Sequence, residues 1–519
     1  MPSKTERIAK NTLLLYFRHI LIMLVNLYTV RIVLNVLGAE NYGIYNVAGG
    51  LVVMFTFINS AMSGATQRFL NFAMGQNDME QARNVFSISI IIHILIAVLV
   101  IILAQTIGLW FFHTWLNIPQ DRQDAALIVY QLSIAKAAIS IIQVPYRAVI
   151  IANERMSFFA LLSIVEVLLK LGIAFLLTVI LFDQLIVYAF LVFVVGVFIF
   201  FTYKIFCNKT FEMSRFRFCK DKLLFRQLAE FSGWSLFGAL ANRSSSRGTN
   251  ILINIFHGVT LNAAMGIAAQ INSAVYKFVR DFQTAFRPQI VKSYAAKEHD
   301  YFLRLIYQTS KASFFLCFFF ALPLYINADF VLLLWLNNVP EYTVQFTRLI
   351  LFSLLLDAIA GPLWISIQAT GDIKKYQLVG SIFTFANLPL SLVILLMGYS
   401  PIWVLIIRVI LEFFVLIWKI YYLSLKITFS FFVFLREVIM PITLIAGISS
   451  SITIFFHNFF YGWAALIVSC IVSSICLVFL VYFIGLNKKE KVSFQNWSRE
   501  KLAKQERIDK EERYDTYKN

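Results

Sequence analysis

Long apolar runs recur along the whole chain and limit what it can fold into. Each run is about 20 residues long, enough for an α-helix to cross about 30 Å of hydrocarbon. Of the 519 residues, 60% are hydrophobic and only 14% are charged, whereas a soluble chain carries roughly a quarter of its residues as charge. Lipid is therefore the solvent for most of the chain, and helices satisfy their own backbone hydrogen bonds there. An all-α polytopic membrane protein is predicted.

The apolar runs predict about fourteen transmembrane helices. Their ranges are 12–36, 43–66, 86–112, 125–151, 157–181, 184–206, 228–256, 260–284, 312–336, 343–369, 376–398, 401–424, 436–457 and 461–486. With a cytoplasmic N-terminus, lysines and arginines fall on alternate loops, and the loop after the sixth span is the richest in them. This alternation follows the positive-inside rule. It predicts that both termini are cytoplasmic.

An internal repeat relates the two halves of the chain. Arg287 follows Arg68 by 219 residues, and Pro362 follows Pro145 by 217, each within a similar local sequence. Six spans per repeat is an even number, so two six-helix lobes would run parallel around a central cavity, as in transporters that rock two bundles. The predicted division is an N-lobe at 1–206, a basic cytoplasmic linker at 207–227, a C-lobe at 228–424, two appended spans at 425–486 and a charged cytoplasmic tail at 487–519.

Polar residues inside the predicted spans indicate a positively charged interior. Arg243, Arg247, Asn250 and Asn254 recur at helical spacing and share one face of the seventh span. An ionisable group at the bilayer centre costs about 2.5–3.5 kcal/mol on insertion scales, so this face is expected to meet water or an anion. Lys136 in the fourth span and Lys277 in the eighth lie on similar polar faces. These six residues form the predicted substrate-binding site.

Acidic residues in the spans are fewer. Asp357 has no basic partner on its own helix, so it is predicted to sense a driving ion. Arg18 lies near an end of the first span, where snorkelling to the interface explains it as well as a cavity does. Other acids have a basic residue one helical turn away, as in Glu166–Lys170 and Arg408–Glu412, and are interpreted as structural pairs.

The topology, the charged seventh span and the segments PYRAVIIANERM (145–156) and IQATGDIKKYQ (367–377) resemble the polysaccharide-transport family. Its members are bacterial flippases for O-antigen and capsule repeat units, in a superfamily shared with multidrug and toxin extruders. The resemblance covers about residues 1–486. It implies alternating access in the bacterial inner membrane, with undecaprenyl-pyrophosphate-linked oligosaccharide as substrate. It also implies that Arg243 and Arg247, with Lys136 and Lys277, line the cavity, and that a proton or sodium gradient drives transport.

Two alternatives remain open at the level of sequence. A multidrug or toxin cation antiporter of the same fold would need uncompensated carboxylates in its cavity. A membrane enzyme of lipid-linked glycan assembly would need a folded external segment or an acidic pair, and the outside loops are short. No Walker A motif is present, and the five cysteines have no metal-site spacing. The expectation is a transporter without catalysis, cofactor, metal or nucleic-acid partner, monomeric, in contact with lipid and with polysaccharide-assembly proteins.

Overall fold

The computed structural model describes residues 4–53, 57–115, 118–180, 182–336, 339–486 and 491, and these contain helices but no β-strand. The predicted tail at 487–519 lies outside them except for residue 491. The α-helices are α1 (Lys4–Val53), α2 (Phe57–Gly75), α3 (Met79–Leu103), α4 (Leu109–Trp115), α5 (Gln123–Ala152), α6 (Met156–Leu176), α7 (Gln184–Thr210), α8 (Lys222–Ala295), α9 (His299–Ile326), α10 (Ala328–Leu336), α11 (Thr343–Thr370), α12 (Lys374–Leu396), α13 (Ile402–Lys426), α14 (Phe431–Phe434), α15 (Met440–His457) and α16 (Gly462–Leu480).

Ten helical stretches of the described residues are long and apolar enough to cross a membrane. Each of the fourteen spans expected from the sequence overlaps one of the helices. Among the helices outside these ten, α8 and α13 have their apolar sequence interrupted by charged and polar residues. The sequences of α8 and α13 therefore resemble membrane spans less than most of the other helices do, and these two helices carry many of the charged and polar residues.

The repeat is visible in the backbone. Gly38 in α1 (φ 74°, ψ 165°) and Gly258 in α8 (φ 78°, ψ −172°) are 220 residues apart. Each joins two successive helical segments at a kink, and side chains rarely tolerate this conformation, so glycine is needed. Asn77 and Lys297, also 220 residues apart, both have positive φ, at 58° and 60°. The two halves therefore repeat the same turns at matching positions.

The helices form two lobes. Helices α1 to α7 pack together as the N-lobe, and α8 to α13 pack together as the C-lobe. The lobes meet where α8 packs against α2 and α1, with a smaller contact between α2 and α11. The appended α15 and α16 pack on each other and on α9. Because α7 extends to Thr210 and α8 begins at Lys222, the connection between the lobes is 211–221, shorter than the predicted linker.

Candidate functional site

A central cavity of about 1120 Å³ lies between the two lobes, and both lobes line it. Its wall carries six basic residues against two acidic ones. The basic residues are Arg18, Arg147, Lys277, Arg280, Arg287 and Lys419, and the acids are Asp281 and Asp357. Because these charges share one concave space with low-dielectric walls, they raise the local concentration of anions. The cavity is therefore suited to a negatively charged ligand.

Arg18 joins the lobes inside this cavity. Its Nη2 atom lies 3.3 Å from Oδ1 of Asp281 on α8, and both side chains are largely buried, at 13% and 16% exposed. Of the two interpretations left open for Arg18, the cavity role is the one that this pairing supports. The guanidinium groups of Arg18 and Arg147 both lie over the ring of Phe159, at 4.8 and 5.5 Å from its centroid. The aromatic face stabilises two neighbouring positive charges that would otherwise repel each other.

One end of the cavity is closed by contacts between the lobes. We call it the basal end, formed by residues 67–78, 152–155, 287–298 and 368–372. Arg287 donates from Nη1 to Oε1 of Gln67 at 3.4 Å and from Nη2 to Oε1 of Gln368 at 3.1 Å. Arg287 also lines the cavity. It is thus both a cavity cation and part of the basal closure.

Arg68, the repeat partner of Arg287, closes the same end from the N-lobe. Its Nε donates to the carbonyl of Gln368 and its Nη2 to the carbonyl of Ala369, both at 3.1 Å. These carbonyls lie in the last turn of α11, where the negative end of the helix dipole favours a cation, and the Gln368 carbonyl also accepts from the backbone N–H of Gly371. Further out, Oε1 of Glu154 accepts from Gln289 at 2.7 Å and from Lys292 at 3.2 Å.

A smaller side cavity of about 190 Å³ extends into the C-lobe. It shares part of its lining with the central cavity, including Asp357 and Lys419. On α13, Arg408 donates to Oε1 of Glu412 at 2.9 Å, as the predicted helical pair, and Ser353 of α11 donates to Oε2 of the same carboxylate. Asp357 has no ion-pair partner on α11, all of which the structure describes, but it lines the side cavity together with Arg408, Glu412 and Lys419 of α13.

The predicted site residues divide into two groups. Lys277 and Asp357 line the central cavity. Arg243 and Arg247 are exposed. They lie on the side of α8 opposite Ser245 and Thr249, which are both buried. Thr249 contacts α12. Among the described residues neither arginine has an ion-pair partner. Asn250 and Asn254 are half-buried outside the cavity lining, and Lys136 is half-buried near Gly196 of α7.

Sequence reasoning missed several cavity residues. Arg147, Arg280 and Arg287 stand in polar stretches of their helices, yet only tertiary packing shows that they share one cavity with Arg18. In the seventh span, residues 242–250 are polar on nearly every side, so periodicity does not identify the inward face. In the structure, Asn242 lines both cavities.

The helices and the charged cavity between two lobes define a polytopic α-helical membrane protein with a polar interior. The chain is similar to a crystal structure of a MATE mutant (TM-score 0.70, 15% identity, 82% of this chain and 97% of the other). It is also similar to a MOP superfamily transporter from Pyrococcus furiosus described as having a binding pocket of reversed polarity (TM-score 0.67, 14% identity, 82% and 96%). A MATE transporter of Vibrio cholerae matches at TM-score 0.62 and 17% identity, over 80% and 96%.

The family follows from sequence. The model of the family described as polysaccharide biosynthesis protein matches residues 8–294, more than half of the chain. The chain belongs to this family. No curated protein matches the sequence.

Proposed function

We propose that this protein is a transporter, a flippase for polyprenyl-pyrophosphate-linked oligosaccharide repeat units, acting by alternating access in the bacterial inner membrane. The observation that carries the proposal is the central cavity with six basic residues against two acidic ones. Membership of a family described by polysaccharide biosynthesis supports the same substrate class. The expected substrate is undecaprenyl-pyrophosphate-linked, with its polyprenyl chain remaining in lipid while pyrophosphate and sugars cross inside the cavity.

A pyrophosphate group explains the charge of the cavity. Moving a multiply charged group through low dielectric without compensation is prohibitive. Arginines bind phosphate oxygens through two parallel hydrogen bonds, which a lysine does not reproduce. Arg147, Arg280 and Arg287 line the cavity from both lobes. Several separate cations offer the pyrophosphate successive partners, so that no single site holds it too tightly.

The closed basal end fits one state of an alternating-access cycle. If the N-terminus is cytoplasmic, as the loop charges predict, the basal end faces the cytoplasm and the structure is closed on that side. The substrate would enter from the cytoplasm when the contacts of Arg68 and Arg287 separate. It would leave on the opposite side when they form again. Arg287 then alternates between a phosphate and two neutral amide oxygens.

We propose that Arg243 and Arg247 also contact the substrate. Both are exposed on the first half of α8, where facing hydrocarbon would cost several kcal/mol per arginine. We propose that they lie along the substrate pathway on the side of the cavity away from the basal end. Water and the passing pyrophosphate would compensate their charge there. Arg→Ala at both positions should then cut transport strongly without preventing insertion, whereas Arg→Lys should retain part of it. Normal transport by the double alanine variant would exclude this role.

Asp357 is proposed as the residue that couples transport to a proton or sodium gradient. It lies where the two cavities meet and faces charged residues of a neighbouring helix. Asp357→Asn should abolish the dependence on an imposed gradient while leaving substrate binding largely intact. Gradient-driven transport at the wild-type rate by this variant would return Asp357 to a structural role.

Extrusion of cationic drugs is the second candidate, because transporters described as MATE share the fold. The excess of basic residues in the cavity disfavours a cationic substrate, and the reversed polarity described for the Pyrococcus furiosus transporter shows that pocket charge differs within the superfamily.

The deciding experiment reconstitutes the full chain in proteoliposomes with defined lipid-linked oligosaccharides, under imposed proton or sodium gradients. Transfer of the oligosaccharide lipid between leaflets, lost in Arg147→Ala and Arg280→Ala variants, supports the proposal. Efflux of cationic dyes without movement of the lipid would establish the second candidate instead.

A further inference from the structure

The side cavity differs in chemistry from the central cavity into which it opens. Its charged residues balance, with Asp357 and Glu412 against Arg408 and Lys419. Much of the rest of its wall consists of hydroxyl and amide groups, including those of Ser245, Ser246, Thr249, Ser381, Thr384 and Asn387. An uncharged ligand rich in hydrogen-bonding groups suits such a wall better than an anion does.

One hydroxyl group of this wall has no partner in the part of the chain that the structure describes. Ser381 is only 6% exposed, and its Oγ atom makes no hydrogen bond to the described residues. Buried polar groups nearly always have a partner, so an unpaired hydroxyl on the cavity wall is available to bind a ligand or a water molecule in the cavity. Its neighbours are ordered, because Asn387 donates to Oγ1 of Thr249 at 3.0 Å between α12 and α8.

The size and position of the side cavity limit its occupant. Its volume of about 190 Å³ is about one sixth of the 1120 Å³ of the central cavity, so the side cavity has room for a small group and not for an oligosaccharide. Asn242, Tyr376 and Gln377 line both cavities. A sugar in the side cavity can therefore remain attached to a charged group in the central one.

We propose that the side cavity binds the sugar next to the pyrophosphate, as a neutral pyranose ring with free hydroxyl or acetamido groups. This inference rests on the proposed function and adds a specificity site to it. The basic central cavity holds the pyrophosphate, and the hydroxyl and amide wall between α8 and α12 selects the first sugar. A polar site of this kind discriminates against ligands that leave its buried groups unpaired.

The test compares two lipids on the purified full chain in nanodiscs: polyprenyl pyrophosphate carrying one neutral acetamidohexose, and the same lipid pyrophosphate without sugar. Filling the side cavity with Ser381→Leu and Thr384→Leu should weaken binding of the sugar-bearing lipid at least tenfold and leave the sugar-free lipid within twofold. Ser381→Ala adds no volume and does not threaten folding. It should lower the affinity for the sugar-bearing lipid about two- to tenfold, as expected for the loss of one hydrogen bond.

The matched control is Ser451→Leu on α15, an exposed serine whose hydroxyl is bonded to its own helix, and it should change neither affinity. Equal losses for the two lipids, or unchanged binding of the sugar-bearing lipid in Ser381→Ala, would overturn the sugar site. If the wild-type chain binds the sugar-free lipid as tightly as the sugar-bearing one, the sugar site fails while the proposed function stands. If it binds neither, both fail.

Discussion

Arg287 lines the central cavity and also bridges the lobes through Gln67 and Gln368. Arg287→Ala should reduce lipid transport at least tenfold in proteoliposomes, because a cavity charge and a closing contact are lost together. Arg287→Lys should retain an intermediate rate, since the charge remains without the forked geometry. Arg304→Ala, an exposed arginine on α9, is the control, and an equal loss there would remove the specific role of Arg287.

Gly371 is the residue that lets Arg68 reach the end of α11. It has a φ of 84°, and a Cβ atom there would lie 2.5 Å from Nη2 of Arg68. Gly371→Ala should therefore open the basal end more often, in addition to about 1–3 kcal/mol of backbone strain. A cysteine at Gly64, on the cavity wall, should react faster with an impermeant thiol reagent added at the basal side.

Gly398 provides a matched comparison for the strain alone. Its φ is 78°, but no atom lies within 4 Å of a Cβ placed there. Gly398→Ala should leave the reactivity at position 64 unchanged. Equal effects of the two alanine variants would mean that strain, and not the displacement of Arg68, opens the basal end.

At the scale of elements, α2 and α8 approach so closely that only glycine fits between them. A Cβ atom on Gly75 would lie 2.6 Å from the carbonyl oxygen of Lys292 and 2.7 Å from Cβ of Ala295. Gly75→Leu should hold the two helices apart by about 2 Å, the range over which side chains set interaxial distances. Distances between spin labels on their basal ends should shift accordingly. Gly172→Leu, where the space is open, should leave those distances unchanged, and a change there would contradict the explanation.

The elements also show how far sequence reasoning extends. Hydropathy predicted the helical membrane fold, because a chain in lipid has few ways to satisfy its backbone. The faces of the helices were harder to predict. Span seven is polar on most sides, and the structure turns Asn242 toward both cavities while Arg243 is exposed elsewhere. The pairing of Arg18 with Asp281 joins residues 263 positions apart, and no local pattern encodes such a contact.

At the scale of the whole molecule, the orientation of the bundle is testable. Single cysteines at Glu40 and Asp183, in a cysteine-free background, should react with an impermeant reagent from the periplasmic side. Cysteines at Lys220 and Lys297 should react only after lysis, because the positive-inside rule predicts that the basic loops are cytoplasmic. Labelling of Lys297 in intact cells would invert the bundle and place the closed basal end outside.

The polarity of α8 also has a consequence for biogenesis. Arg243 and Arg247 each add about 2.5–3.5 kcal/mol to the insertion of its first half, whereas an apolar residue recovers only about 0.3–0.6. This half packs against α12, which the ribosome completes more than a hundred residues later. The segment therefore enters the bilayer as an unstable span that depends on later helices for its final position. Substitutions in α12 that leave the cavities intact can thus still lower the amount of the protein in the membrane, because chains whose seventh span has left the bilayer are degraded.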